Sequence, residues 1–264
     1  MQLTILGLGT SHGIPVLGCQ CKVCCSSDFR DQRMRSSIYI KEKYGACAII
    51  DTGPEFRLQA IRAKITCLDG IFLTHAHADH VHVLDDIRPL CFEKPIPVYG
   101  NSFTLNDLQE RFSYIFRETQ NGGGKPKITP FVEENPIHIG KIVFTPIPVK
   151  HGIVDILGWK ISEGSKTAVY LTDVKSIPHF SLPLIQNPDV IIIGALRLNP
   201  HATHFNFLEA LEAAAEIKAR SIYLTHICHD YSHREIENFC REFKEKRGIS
   251  AVIEPAYDGQ ELIV

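Results

Sequence analysis

"IFLTHAHADHVHVL", residues 71–84, decides how this chain is read. An apolar, β-rich run at 71–74 leads straight into His75, His77, Asp79 and His80. Side chains alternate along an extended segment, so His75 and His77 point the same way and can reach one metal ion. Asp79 and His80 follow where the chain turns, and can face a second ion about 4 Å away. Imidazole and carboxylate donors suit Zn²⁺, Mn²⁺ or Fe²⁺. As ordinary core the run makes little sense, because each buried polar group without a partner costs ~1–3 kcal/mol. His82 lies one step past the run and is read as an exposed or packed imidazole, not a ligand.

Two ions need further ligands, and three β-rich runs supply them at their ends. "FTPIPVKHG" ends at His151, "AVYLTDV" at Asp173, a carboxylate able to bridge two ions, and "SIYLTHICHD" at His226. Four strand ends that deliver imidazole or carboxylate form a constellation, where one motif alone would be weak.

The rest of the chain frames it. Strands are expected at 2–7, 36–40, 46–50, 70–74, 96–100, 141–149, 156–162, 167–172, 189–195, 221–225 and 250–255. Helices are expected at 102–116, 205–219 and 231–246, with Phe207, Leu211, Ala214 and Ile217 on one buried face. Early strands come in antiparallel-looking pairs and later ones alternate with helices, which predicts a mixed α/β (α+β) domain spanning 1–264. "TQNGGGKPK", 119–127, reads as a mobile loop, either a surface insertion or a flap.

A formal net charge of −2 over 264 residues argues against nonspecific nucleic-acid binding. The N-terminal residues lack the pattern of a signal peptide, and no apolar run approaches the ~18 residues of a membrane span. A cytoplasmic protein is expected. There, nine cysteines point to metal more than to disulfides. "GCQCKVCC", 18–25, is open between a redox centre, an incomplete metal site and small core residues. Cys47, Cys67, Cys91 and Cys240 read as buried small hydrophobes.

"THAHADH" with His151, Asp173 and His226 at these spacings resembles the metallo-β-lactamase superfamily, over the length from "GLGTSHGIP" to "YDGQELIV". The resemblance implies an αββα sandwich with two divalent ions, zinc or manganese, at one edge of the sheets. It assigns His75, His77 and His151 to one ion and Asp79, His80 and His226 to the other, with Asp173 between them. Asp51, in "AIIDTGPEF", matches the acid that orients ligands in the family; a turn-forming Asp is the alternative.

Within the superfamily, "NPHATHFNFLEAL" is similar to the phosphodiesterase branches, where a histidine at the position of His204 assists the leaving oxygen. A helix cap or solvent contact is the alternative, and His201 is a rival for the role. "GTSHGIPVLGCQCKVC", "RMRSS" and "LTHICHD" together resemble the PhnP-type cyclic phosphodiesterases of the carbon–phosphorus lyase pathway. That resemblance implies a structural zinc on Cys19, Cys21, Cys24 and His229, with Cys25 or Cys228 as possible substitutes. It also implies a small phosphodiester substrate such as a ribosyl cyclic phosphate, and a homodimer. Arg33, Arg35, Ser36 and Ser37 are candidates for phosphate contact, with solvated surface or a strand entry as the plain reading. The other readings are a transfer-RNA 3′-processing nuclease, a thioesterase of the glyoxalase II kind, and a non-hydrolytic relative from cofactor biosynthesis.

Overall fold

The computed structural model describes residues 1–42, 45–118, 124–132 and 135–264. Its first sheet is built from β1 (Gln2–Gly7), β2 (Ser37–Lys41), β3 (Cys47–Ile50), β4 (Gly70–Phe72), β5 (Ile96–Gly100) and β6 (Ile128–Val132). Its second is built from β7 (Ile137–Ile139), β8 (Ile142–His151), β9 (Val154–Glu163), β10 (Lys166–Leu171), β11 (Val190–Gly194), β12 (Ser221–Thr225) and β13 (Val252–Pro255). The chain then returns to the first sheet as β14 (Glu261–Ile263), antiparallel to β1. The strand orders are β14-β1-β2-β3-β4-β5-β6 and β13-β12-β11-β10-β9-β8-β7. Each sheet is antiparallel on one side and parallel on the other: β3 to β6 run parallel in the first, β10 to β13 in the second.

Alternation along the strands makes the layers. In β1 to β3, Leu3, Ile5, Ile38, Ile40, Ala48 and Ile50 face the second sheet, where Phe144, Trp159 and Ile161 meet them. Phe72 stacks on Phe144 with ring centroids 3.8 Å apart. The intervening Leu6, Tyr39, Cys47 and Ile49 turn to the other face and pack with Phe56, Leu105 and Leu108. Those three sit on α1 (Phe56–Arg62) and α3 (Ser102–Arg111), which cover the first sheet together with the short α2 (Ala78–Val81) and α4 (Ser113–Phe116). The second sheet is covered by α5 (Phe207–Ile217) and α6 (His233–Arg247). The result is the expected αββα sandwich.

Local signals explain the two long helices. Asn206 and Ser232 cap α5 and α6 in capping boxes closed by Glu209 and Glu235, and Gly248 ends α6 at φ 63°. Phe207, Leu211, Ala214 and Ile217 are fully buried, as their spacing predicts. The helix expected at 102–116 is broken at Phe112 into α3 and α4. Strands β6, β7 and β14 and helix α1 were not anticipated. Cys47, Cys91 and Cys240 are buried as expected, but Cys67 is exposed. It lies in the connection before β4, where its Sγ sits 2.9 Å from that of Cys47.

Of the loop expected to be mobile, residues 119–123 lie outside the described residues. Its remainder is tied down: Arg88 donates to the Gly124 carbonyl, and Lys125 and Lys127 donate to the carbonyls of Arg117 and Phe92. Among the described residues, no helix is long and apolar enough to cross a membrane.

Candidate metal centre

The predicted ligands converge because the strands that carry them end at one edge of the sandwich. β4 runs out at Phe72, and His75 and His77 follow in extended chain; His77 is the N-cap of α2, whose first turn holds Asp79 and His80. His151 is the last residue of β8, where the hairpin turns through Gly152 at φ 61°. Asp51, Asp173 and His226 follow β3, β10 and β12 in the left-handed region, at φ 65°, 53° and 54°. Such backbone costs a non-glycine residue about 1–3 kcal/mol and clusters at functional sites. Here it marks the points where three strands end and hand an acid or an imidazole to the cluster.

Among the described residues four donor sets result, each with ligand atoms within 4.8 Å of one another: His75, His77 and His151; Asp79, His80 and His226; His75, His80 and Asp173; and His151, Asp173 and His204. Asp173 is held between His80 and His226. Its Oδ2 lies 3.2 Å from His80 Nε2 and its Oδ1 lies 3.1 Å from His226 Nε2. Asp79 Oδ2 approaches the same two nitrogens at 3.2 and 3.9 Å. His82 is exposed and outside these sets, as expected.

Asp51 sets the imidazole tautomers. It is fully buried and accepts from the Thr74 amide at 2.9 Å and from His80 Nδ1 at 2.7 Å. The Thr74 hydroxyl donates to Asp51 Oδ2 at 2.8 Å, which leaves it to accept from His75 Nδ1 at 3.0 Å. His151 Nδ1 lies 2.9 Å from the Thr203 carbonyl, which can only accept. In His75, His80 and His151 the Nδ1 proton is thereby spoken for and Nε2 is turned to the site.

The donor chemistry fits cations. His80 Nε2 and both ring nitrogens of His226 are buried without a hydrogen-bond partner. His75 Nε2 faces His77 Nδ1 at 2.9 Å, so a proton or a cation must lie between them. Burial opposes charge on His80, but Asp173, Asp79 and Asp51 override it and hold this imidazole well above its ordinary pKa. Burial likewise works to raise Asp79 and Asp173, yet the surrounding imidazoles bring both below the usual carboxylate range. His75, dominated by burial, is held well below its ordinary value. A divalent cation would replace the proton that this cluster otherwise gathers on His80.

His204 sits at the rim. Its Nδ1 lies 3.8 Å from Asp173 Oδ1, and its ring stacks on His226 at 4.8 Å between centroids. Burial, then His226, pushes its pKa down to about 3, so it is neutral near pH 7. His201 is one ring further out, 5.1 Å from His204, with Nδ1 turned to the Thr203 hydroxyl at 3.2 Å.

A second set lies beyond His226. His229 Nδ1 is 3.4, 3.5 and 3.4 Å from the sulfurs of Cys19, Cys21 and Cys24. A tetrahedral zinc with ordinary Zn–S and Zn–N bonds gives an S···N edge of about 3.5 Å. Amide donors to sulfur assist thiolate formation: Val16 to Cys24 at 3.3 Å and Cys24 to Cys21 at 3.4 Å. The Cys24 amide is the largest influence that brings Cys21 down to about 6. Cys25 is exposed and, like Cys228, outside this set.

The arginine and serine block at 33–37 differs from the phosphate-contact expectation. Arg33 is 1% exposed and clamps the loop that carries His229, donating to the carbonyls of Cys228 and Tyr231 and pairing with Asp31. Arg35 pairs with Glu55 and donates to the Ser11 carbonyl. Ser36 and Ser37 are buried and donate to the carbonyls of Gly9 and Asp51. These side chains build the frame of the site. A cleft of about 310 Å³ opens beside His204 and His226 and reaches Arg197 and His12, two residues that sequence reasoning did not single out.

A family model described as a β-lactamase superfamily domain matches residues 48–227. The chain is 32% identical over 266 residues to an octanoyltransferase of Porphyromonas gingivalis (strain ATCC BAA-308 / W83), covering 100% of this chain and 52% of that protein. It thus spans about half the length of that curated relative. Among solved structures it is similar to a diphosphatase of the PhnP family, with TM-score 0.87 and 37% identity over 100% of this chain and 97% of the other. Zinc-bound PqqB from Methylobacterium extorquens superposes with TM-score 0.81 at 17% identity, covering 100% of both chains, a likeness of fold alone.

Proposed function

The chain belongs to the metallo-β-lactamase superfamily, and from that premise we propose that it is a metal-dependent hydrolase of phosphodiesters, acting with two divalent ions at the seven-residue cluster. The observation that carries this reading is the placement of His204: it is absent from the two donor sets assigned to the ions, meets only His151 and Asp173 in a set of its own, and stands at the mouth of a cleft. The likeness to the PhnP-family diphosphatase supports phosphorus chemistry.

In this proposal His75, His77 and His151 hold one ion, Asp79, His80 and His226 the other, and Asp173 lies between them. Bound there, zinc or manganese ions supply activation of water and neutralise charge on phosphoryl oxygens. Asp51 keeps the Nε2 atoms of His75 and His80 directed inward, so the donors need no rearrangement. His204 provides the proton for the departing oxygen. Its imidazole is neutral in the free chain, so it takes up that proton only as an anionic substrate raises its basicity. Cys19, Cys21, Cys24 and His229 hold a third, structural zinc, and the substrate is a small cyclic phosphodiester such as a ribosyl cyclic phosphate. Acyl transfer, the activity named for the P. gingivalis relative, belongs to a protein about twice this length.

The test is hydrolysis of bis(p-nitrophenyl) phosphate and of ribosyl cyclic phosphates by protein loaded with Mn²⁺ or Zn²⁺. The His204→Ala variant is expected to lose about 10²–10⁴ in kcat while it keeps its metals. Full turnover by that variant would sink the role of His204, and inactivity of the loaded wild type on every diester would sink the reading.

A further inference from the structure

The cleft beside His204 has a lining that metal binding leaves unexplained. It is formed in part by Ser11, His12, Arg197, His201 and Asp230. Among the described residues, four arginines are not exposed: Arg30, Arg33, Arg35 and Arg197. Arg30 pairs with Asp28 and Glu237, Arg33 with Asp31, and Arg35 with Glu55. The Arg197 side chain has no hydrogen-bond or ion-pair partner, and its Nε is buried without an acceptor. Asp230 shares the lining but forms no ion pair with it. A buried polar atom with no partner costs about 1–3 kcal/mol, and more when it belongs to a charged group. A half-buried guanidinium whose Nε is kept this way, with no protein partner beside a reaction centre, is placed to receive an anion on its planar fork.

Its side of the site is also defined. Arg197 lies just past β11 on the segment that leads to His204, and both line the same cleft. The group that leaves toward His204 therefore leaves toward Arg197. We propose that Arg197 is a substrate-binding residue whose guanidinium pairs with an oxyanion, phosphate or carboxylate, carried by the substrate on its leaving-group side. This inference rests on the phosphodiesterase reading and sharpens it: the preferred substrate has a negative charge beyond the phosphoryl group that reacts.

Binding tests it without turnover. Metal-loaded wild type, Arg197→Gln and Arg197→Lys are titrated with inorganic phosphate and, separately, with acetate, and the shift of the melting transition gives the affinities. Anion binding at the ions is common to all three proteins and cancels in the comparison. Arg197→Gln is expected to weaken at least one anion by about tenfold or more, the equivalent of one charge-assisted hydrogen bond. Arg197→Lys, which keeps the charge and loses the fork, should fall between and stands in if the Gln variant does not fold. Loss confined to phosphate identifies the partner group as a phosphate, and loss confined to acetate as a carboxylate. Unchanged affinity for both anions in either folded variant overturns the proposal. Absence of diesterase activity in the wild type would strike the functional reading alone, since these titrations read Arg197 directly.

Discussion

Asp51 shows how much one residue can organise. Its carboxylate accepts from His80 and from both the amide and the hydroxyl of Thr74, and through Thr74 it fixes His75. Asp51→Asn keeps the shape but puts an amide donor against protons that need an acceptor. Metal affinity should fall about 10–100-fold, measured by competition with a chromogenic chelator. Asp258 gives a second prediction. Burial pushes its carboxyl up to about 7, and its Oδ1 has no partner. The folded state then holds a proton that the unfolded state gives up near pH 4, so the contribution is full below that pH and is lost as pH rises through about 7. By that linkage the loss is on the order of 4 kcal/mol. Asp258→Asn should flatten the fall in stability between pH 5 and pH 8 in urea titrations; a wild-type slope in the variant would contradict this.

At the scale of elements, the strands that carry ligands were legible because ligand residues punctuate them. An apolar run followed at once by His or Asp marks both a strand and its end, which is why His151, Asp173 and His226 could be read with the 75–80 run. Strands β6, β7 and β14 were not legible for a physical reason. They are sheet-edge pieces of three to five residues: most side chains of β6 and β14 reach the surface, and β7 offers only two buried positions on either side of an exposed His138. Helix α1 misleads in another way: it buries Phe56 and Gln59 while Leu58 and Ile61 face outward, so its apolar residues do not trace its buried face. Arg197 gave no signal at all, since a lone arginine after a strand acquires meaning only from what surrounds it in space. Capping was readable in principle: Ser232 and Glu235 form the reciprocal pair at the start of α6. Ser232→Ala should cost about 1 kcal/mol in chemical denaturation, and Glu235→Gln less, because a neutral amide can still accept from the Ser232 amide.

Across the whole molecule, the proposed ions and the fold are one construction. The cysteine loop at 19–24 and the loop after β12 meet through His229, two residues beyond the bridge that joins Ile227 to Gly9, just past the first strand. If this set holds zinc, elemental analysis should find three metal ions per chain. Cys24→Ser should remove the one that mild chelation leaves behind and lower the affinity of the site that uses His226, three residues away.

The two sheets are also consecutive in the chain, β1 to β6 and then β7 to β13, with only β14 crossing back. Each of the two proposed active-site ions draws on both: His75 and His77 from the first half with His151 from the second, Asp79 and His80 from the first with His226 from the second. The centre is therefore a seam. Cut between Val132 and Ile137, the chain would yield two fragments, each with an incomplete coordination set. Their reassembly would become a titratable function of free divalent cation, so that the same ions proposed to serve the reaction would act as the fasteners of a split protein.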